Sequence, residues 1–156
     1  MTGPRFVDLQ THSTASDGVL SPGAVVEAAA RVSLAALALT DHDSIAGLPE
    51  AEAVGERVGV RIVAGVELSA FHEDDEYHLL GLHIRDREAL ERELLGFRDE
   101  RIQRAERIVA RLAELGVPIT LDAVLAHAAN GAVGRPHVAR SLIDAGHVRD
   151  FRDAFD

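Results

Sequence analysis

The chain has no cysteine, no tryptophan and no lysine, and only one methionine and one tyrosine among 156 residues. Each absence closes a class of function. Without cysteine there is no disulfide, no thiolate metal site and no cysteine nucleophile, so any metal must be held by imidazole and carboxylate. Zinc-finger and thioredoxin readings are thereby set aside. A formal net charge of -10 argues against an extensive duplex nucleic-acid surface, because phosphate backbones are bound mainly through lysine and arginine. It leaves room for a small phosphorylated substrate or the end of a short oligonucleotide held through metal ions, since metal-binding carboxylates contribute to the same balance. Neither G-x-S-x-G nor G-x-x-x-x-G-K-[ST] occurs, so a serine nucleophile elbow and ATP-driven chemistry are unsupported. No apolar run approaches the ~18 residues needed to span a bilayer, and residues 1 to 6 lack the regions of a signal peptide. The expectation is a cytoplasmic protein without a membrane partner, its oligomeric state left open.

What is present is 47% hydrophobic residues, enough apolar surface for one core, in a chain of about one domain's length. Residues 5 to 9 and 34 to 40 are short apolar runs suited to buried strands, and 60 to 67 adds β-branched alternation. Ser21 before Pro22 reads as the cap and first turn of a helix to about Arg31, and Gly47 to Gly59 encloses another. This is the rhythm of a parallel sheet or α/β barrel, with residues 77 to 84 as a fourth strand. From Asp86 the pattern changes. Leu90, Leu94, Phe97, Ala105, Ile108, Leu112 and Leu115 recur at helical spacing through a charged segment, predicting one long amphipathic helix that stops at Gly116 and Pro118. Thr120 caps a short helix to about Ala128, and Pro136 starts another to about Ala145, closed by Gly146. A soft boundary near residue 85 divides a first portion, 1–85, from a helical portion, 86–156.

The residues able to hold a metal fall in a pattern. His12 and Asp17 follow the first strand, His42 follows the second, Glu67 ends the third and His78 lies on the fourth. In an α/β barrel the active site collects at the C-terminal ends of the strands. His78, near the start of its strand, satisfies that rule only if the strand runs antiparallel. Taken singly, each residue reads as a packing or turn residue; Asp17 before Gly18 is an ordinary turn and Glu67 an exposed strand end. Five bland explanations spread over four strands are harder to sustain than one shared metal site. Imidazole and carboxylate suit zinc, manganese or iron, and two ions a few Å apart can bridge a phosphate and activate water.

The segments V-D-L-Q-T-H-S-T-A-S-D-G (Val7 to Gly18), L-T-D-H-D-S (Leu39 to Ser44), G-V-E-L-S (Gly65 to Ser69) and H-L-L-G-L (His78 to Leu82) resemble the successive motifs of the PHP (polymerase and histidinol phosphatase) family of metal-dependent phosphoesterases. G-A-V-G-R-P-H-V-A-R (Gly131 to Arg140) resembles the helical insertion of a subgroup that hydrolyses nucleoside 3′,5′-bisphosphates and trims short RNA from the 5′ end. The resemblance implies part of a distorted (β/α)7 TIM-like barrel with a helical insertion lobe. It implies two or three divalent ions (manganese, zinc or iron) on His12, Asp17, His42, Glu67 and His78, with Glu67 bridging, and Arg135 and His137 facing the substrate phosphate. A guanidinium suits that task through paired donors. Asp41 and Asp43, flanking His42, are expected to orient its ring or to be loop acids. Two departures matter. Family members carry histidine where this chain has Gln10, and they continue well beyond this length, with further ligands in the later portion, so the chain reads as a fragment or as a minimal form needing another chain. The alternatives are a histidinol-phosphatase-like phosphomonoesterase, and an inactive metal-binding or interaction domain favoured by Gln10; stoichiometric bound metal separates catalyst from degenerate scaffold.

Overall fold

The computed structural model describes residues 6–73, 75–129 and 131–155. Four strands form one curled sheet in the order β1 (Val7–Thr11), β2 (Ala36–Leu39), β3 (Arg61–His72), β4 (Asp75–Leu82). The first three are parallel, joined by α1 (Pro22–Arg31) and α2 (Leu48–Val58). Parallel neighbours need such crossovers, and the helices they supply bury one face of the sheet. Leu37 and Leu39 of β2, Val26 and Ala29 of α1, and Leu48, Ala51 and Val54 of α2 meet in that first core. The result is a mixed α/β half-barrel.

Both helix starts follow their sequence signals. The Ser21 hydroxyl accepts from the Ala24 N–H at 3.2 Å with Pro22 next, and α2 opens with a proline in its first turn and ends on Gly59 at φ 78°. Glycine fits that left-handed turn without a side-chain clash. Gly65 answers a different constraint, since a Cβ there would stand 2.7 Å from Thr40 Cγ2 and 3.0 Å from the Leu39 carbonyl. Only a bare backbone lets β3 lie this close to β2 beneath the strand ends.

The sheet differs from the expected one in its second half. The third strand runs on to His72 and turns back as β4, which pairs with it antiparallel from Gly65↔Leu82 to His72↔Asp75. Glu67 therefore sits inside a strand and not at its end. Residues 68 to 72 (Leu, Ser, Ala, Phe, His) mix polar and apolar types without a continuous apolar run, which a search for such a run passes over but a half-solvated hairpin accommodates. Of the predicted first strand, Arg5 lies outside the described residues.

Beyond β4 the chain is helical. The α3 helix (Arg87–Glu114) is capped by the Asp86 carboxylate on the Ala89 N–H, and α4 (Leu121–Ala128), α5 (Arg135–Asp144) and a short α6 (Phe151–Phe155) follow. The sequence reading had no α6, because five residues hold too few turns to show periodicity. α3 spans two apolar clusters. Its first half delivers Leu94, with Leu90 and Phe97, onto the sheet core, and its second half delivers Ala105 onto Val124 and Ala128 of α4 and Val138 and Leu142 of α5. Leu94 is fully buried, and we expect Leu94→Ala to cost about 2–5 kcal/mol of unfolding free energy, read from urea denaturation. An unchanged midpoint would mean that α3 is not anchored there.

Candidate metal centre

The backbone brings the expected residues together before any side chain is considered. Past β2 the chain stays laddered to β3, with the Glu67 N–H donating to the Asp41 carbonyl and the Asp43 N–H to the Glu67 carbonyl, at 3.2 and 3.0 Å. His42 and Glu67 are thereby neighbours. Between Asp8 and Thr11 the first strand advances three residues against two on β2, a bulge of the kind that re-aims side chains. Gln10 lies within it and His12 follows it, and both reach Glu67. Antiparallel β4 places His78 opposite Ser69, so the condition that made His78 awkward in a parallel sheet is met.

All five expected ligands converge. Glu67 is 2% exposed; one of its oxygens lies 2.6 Å from His78 Nδ1 and 3.8 Å from His42 Nδ1, and the other 3.1 Å from His12 Nε2. Asp17 stands 3.6 Å from both His12 Nδ1 and His42 Nε2. Two sets of donors lie within 4.8 Å of one another, His12 with Asp17 and His42, and His42 with Glu67 and His78. His42 is common to both.

The donor chemistry fits divalent cations. The Nδ1 atoms of His12 and His42 are buried without a hydrogen-bond partner, which a folded chain tolerates only where something else satisfies them. Separations of 3.6 Å are too long for hydrogen bonds but close to the ~3.4 Å expected between two donors on one tetrahedral ion. Burial holds His42 below its ordinary pKa, with the Asp17 charge opposing; the neutral ring keeps a lone pair for a cation. Gln10 does otherwise. Its amide nitrogen donates to Glu67 Oε2 at 2.7 Å, so here it offers the cluster a hydrogen and no ligand atom.

A family model for the PHP domain matches residues 8–96. The chain belongs to that family. It is 39% identical over 151 residues, 96% of its length, to a 3′,5′-nucleoside bisphosphate phosphatase of Chromobacterium violaceum, and 38% identical over 151 residues, 95% of its length, to the 5′-3′ exoribonuclease Rnm of Escherichia coli. These alignments take in 53% and 52% of the relatives, so the chain spans about half the length of the curated proteins it matches. Among solved structures it superposes on an amidohydrolase from C. violaceum with TM-score 0.88 at 38% identity, covering 96% of this chain and 53% of that one. A candidate metal-dependent phosphoesterase from Bifidobacterium adolescentis gives TM-score 0.87 at 34% identity, with 98% and 55% covered.

Around the PHP cluster, the two acids flanking His42 do something other than hold its ring. The buried Asp41 carboxylate accepts from the Ser13 N–H, the Ser13 hydroxyl and the Ser16 hydroxyl at 2.6, 2.7 and 2.7 Å, pinning the loop that carries His12 and Asp17. Asp43, with φ at 45°, accepts from the Ser69 N–H and hydroxyl at 2.9 Å and from Arg101 Nε. Neither acid is bonded to the imidazole among the described contacts. Sequence reasoning missed Arg101, which looked like one more charge on an amphipathic helix; it is 6% exposed, its guanidinium also reaching Ser69 Oγ and the Val133 carbonyl. Its only sequence signal is its alignment with the apolar stripe, four residues before Ala105.

A pocket of about 340 Å³ opens from Asp17, His42 and His78 toward Arg104, Arg135 and Phe155. Arg135 and Arg104 both bond Glu76, at 2.9 and 2.7 Å. Glu76 and Arg104 were also missed. Burial pushes the Glu76 carboxyl up, but the Arg104 hydrogen bond and the two positive charges outweigh it and hold its pKa low. His137 is 5% exposed and its Nδ1 accepts from the Gly134 N–H at 2.9 Å, closing the start of α5.

Removing Arg101 strands a carboxylate of 0% exposure, so Arg101→Met is expected to cost about 3–5 kcal/mol, and adding Asp43→Asn to recover much of it; denaturation of both variants checks this, and additive losses would refute the coupling. Burial lowers the pKa of His137 from 6.5, so the folded state favours the neutral ring. That contribution is complete above pH 6.5 and is lost as pH falls toward the lower folded value. We expect the melting temperature to fall less steeply between pH 7.5 and 5.5 in His137→Asn, which can accept the same hydrogen bond and does not titrate.

Proposed function

We propose that the cluster serves metal-dependent hydrolysis of phosphate esters, with nucleoside 3′,5′-bisphosphates or 5′-phosphorylated short oligonucleotides as the substrate class. The observation that carries this is the convergence of His12, Asp17, His42, Glu67 and His78 with two buried imidazole nitrogens unsatisfied. In this reading they would hold two or three divalent ions (manganese, zinc or iron), with Glu67 placed to be shared between them, within a distorted (β/α)7 barrel to which the four strands belong. Such ions supply Lewis acidity toward phosphate oxygens and lower the pKa of water. The names of the relatives support the substrate class.

The chain's own residues do the remaining work. Arg135 lies across the pocket from His42 and His78 and is 53% exposed at its side chain while paired to Glu76. A phosphate entering there competes with Glu76 for the guanidinium and gains two parallel donors. Because Nδ1 of His137 is spent as an acceptor, the neutral ring carries its proton on Nε2, the donor that in this reading meets a phosphate oxygen, although His137 is not among the residues lining the pocket. Glu67, held by the Gln10 amide with His78 Nδ1 2.6 Å away, keeps its charge where the ions would sit.

The test is phosphate release from adenosine 3′,5′-bisphosphate with added manganese, together with metal content after dialysis. Glu67→Ala should lower the rate about 1000-fold, corresponding to several kcal/mol of lost charge stabilisation, and should lose stoichiometric metal. A variant that retains both would end this assignment of the site.

A further inference from the structure

Next to the polar pocket lies a second hollow of different character. It has a volume of about 190 Å³ and is lined by Ile108 and Leu112 of α3, Val138 and Leu142 of α5, and Phe155 of α6, with Arg135 at its edge. Arg135 and Phe155 line both hollows, so the two are contiguous across one guanidinium and one aromatic ring. Phe155 is 59% exposed in a chain with 5 phenylalanines and no tryptophan. Val138 and Leu142 belong to the second core, which gives the hollow a fixed floor.

We propose that this hollow receives the nucleobase of the substrate, with Phe155 as its stacking platform, while the phosphate lies on the Arg135 side. The inference rests on the phosphoesterase reading and names what selects its substrate. A simple phosphomonoester has charge for the polar pocket but nothing to fill an apolar one. A nucleotide has both, joined by a sugar, and binding sites commonly combine an apolar wall with a few polar groups that fix orientation. An exposed phenyl face stacks on any base, because every base offers a π surface. Arg135 at the seam can hold a phosphate oxygen with one edge while its flat face adjoins the ring system. Selectivity on this basis favours nucleotides over sugar phosphates without strong preference among bases.

The experiment compares two ligands that differ only in the base, adenosine 5′-monophosphate and ribose 5-phosphate, by equilibrium titration of the chain in manganese. Wild type, Phe155→Ala and Phe155→Trp are measured, each after its melting temperature has shown it folded. The expectation is that Phe155→Ala weakens the adenosine ligand about 10-fold more than it weakens ribose 5-phosphate, and that tryptophan restores the difference. Equal weakening of both ligands, or no weakening of the adenosine ligand, overturns the proposal while leaving phosphoester recognition standing. Failure of the wild-type chain to bind either ligand overturns the phosphoesterase reading and this inference with it.

Discussion

A carboxylate buried to 2% exposure is the constraint around which this fold is arranged. Glu67 sits inside β3, and a charge in that position is unfavourable unless donors surround it. The Gln10 amide donates to it, and nitrogens of His12, His42 and His78 stand 3.1, 3.8 and 2.6 Å away, so that β1 and its end contribute two neighbours and the end of β2 and β4 one each. Each approach requires a local irregularity: the bulge in β1, the continuation of the ladder past β2, and the reversal of the chain into an antiparallel β4. The curled sheet thus has its strands converging on one acidic side chain, and the ring nitrogens that face inward without partners mark where positive charge belongs.

A ring of buried acids one step farther out keeps that arrangement stiff. Asp41 gathers the 12–18 loop through Ser13 and Ser16, and Asp43 gathers β3 and α3 through Ser69 and Arg101. These carboxylates are saturated with hydrogen bonds, which is why they remain acceptable in the interior. The Arg101 contact also makes the helical segment part of the site's support, since α3 is held to the strand ends by an ion pair as well as by its apolar face. Gly134, at the start of α5, lies near Arg101 and Asp17, so the loop before α5 is brought to the mouth of the cluster by the same contacts.

The juxtaposition of polar and apolar hollows follows from how α3 is used twice. Its first half covers the sheet and its second half is covered by α4 and α5, so the seam between the two cores falls beside the ligand cluster. Arg104 and Arg135 project into that seam and share the one carboxylate of Glu76 of β4. A phosphorylated ligand would meet preset guanidinium groups held by an exchangeable carboxylate, next to an apolar wall.

Much of this was legible from residue order. The five candidate ligands were found by their positions after successive strands, because parallel βα units place such residues at one end of the sheet whatever the details of packing. The caps at Ser21 and Thr120 and the stops at Gly59 and Gly116 follow from local backbone chemistry that operates within four or five residues. The family, and the expectation that position 10 departs from it, could be read from motif spelling. The hairpin reversal of β4, the donor role of Gln10, the task of Asp41 and Asp43, and the burial of Arg101 could not. The last three depend on contacts across 26 to 58 positions of sequence, and a charged residue on an amphipathic helix looks the same in sequence whether it meets water or a buried aspartate. Sequence alone determined which residues could ligate and where the chain turns; tertiary structure decided which acids hold the scaffold and which face the histidine cluster, because that choice is made by burial and by partners that only folding brings within reach.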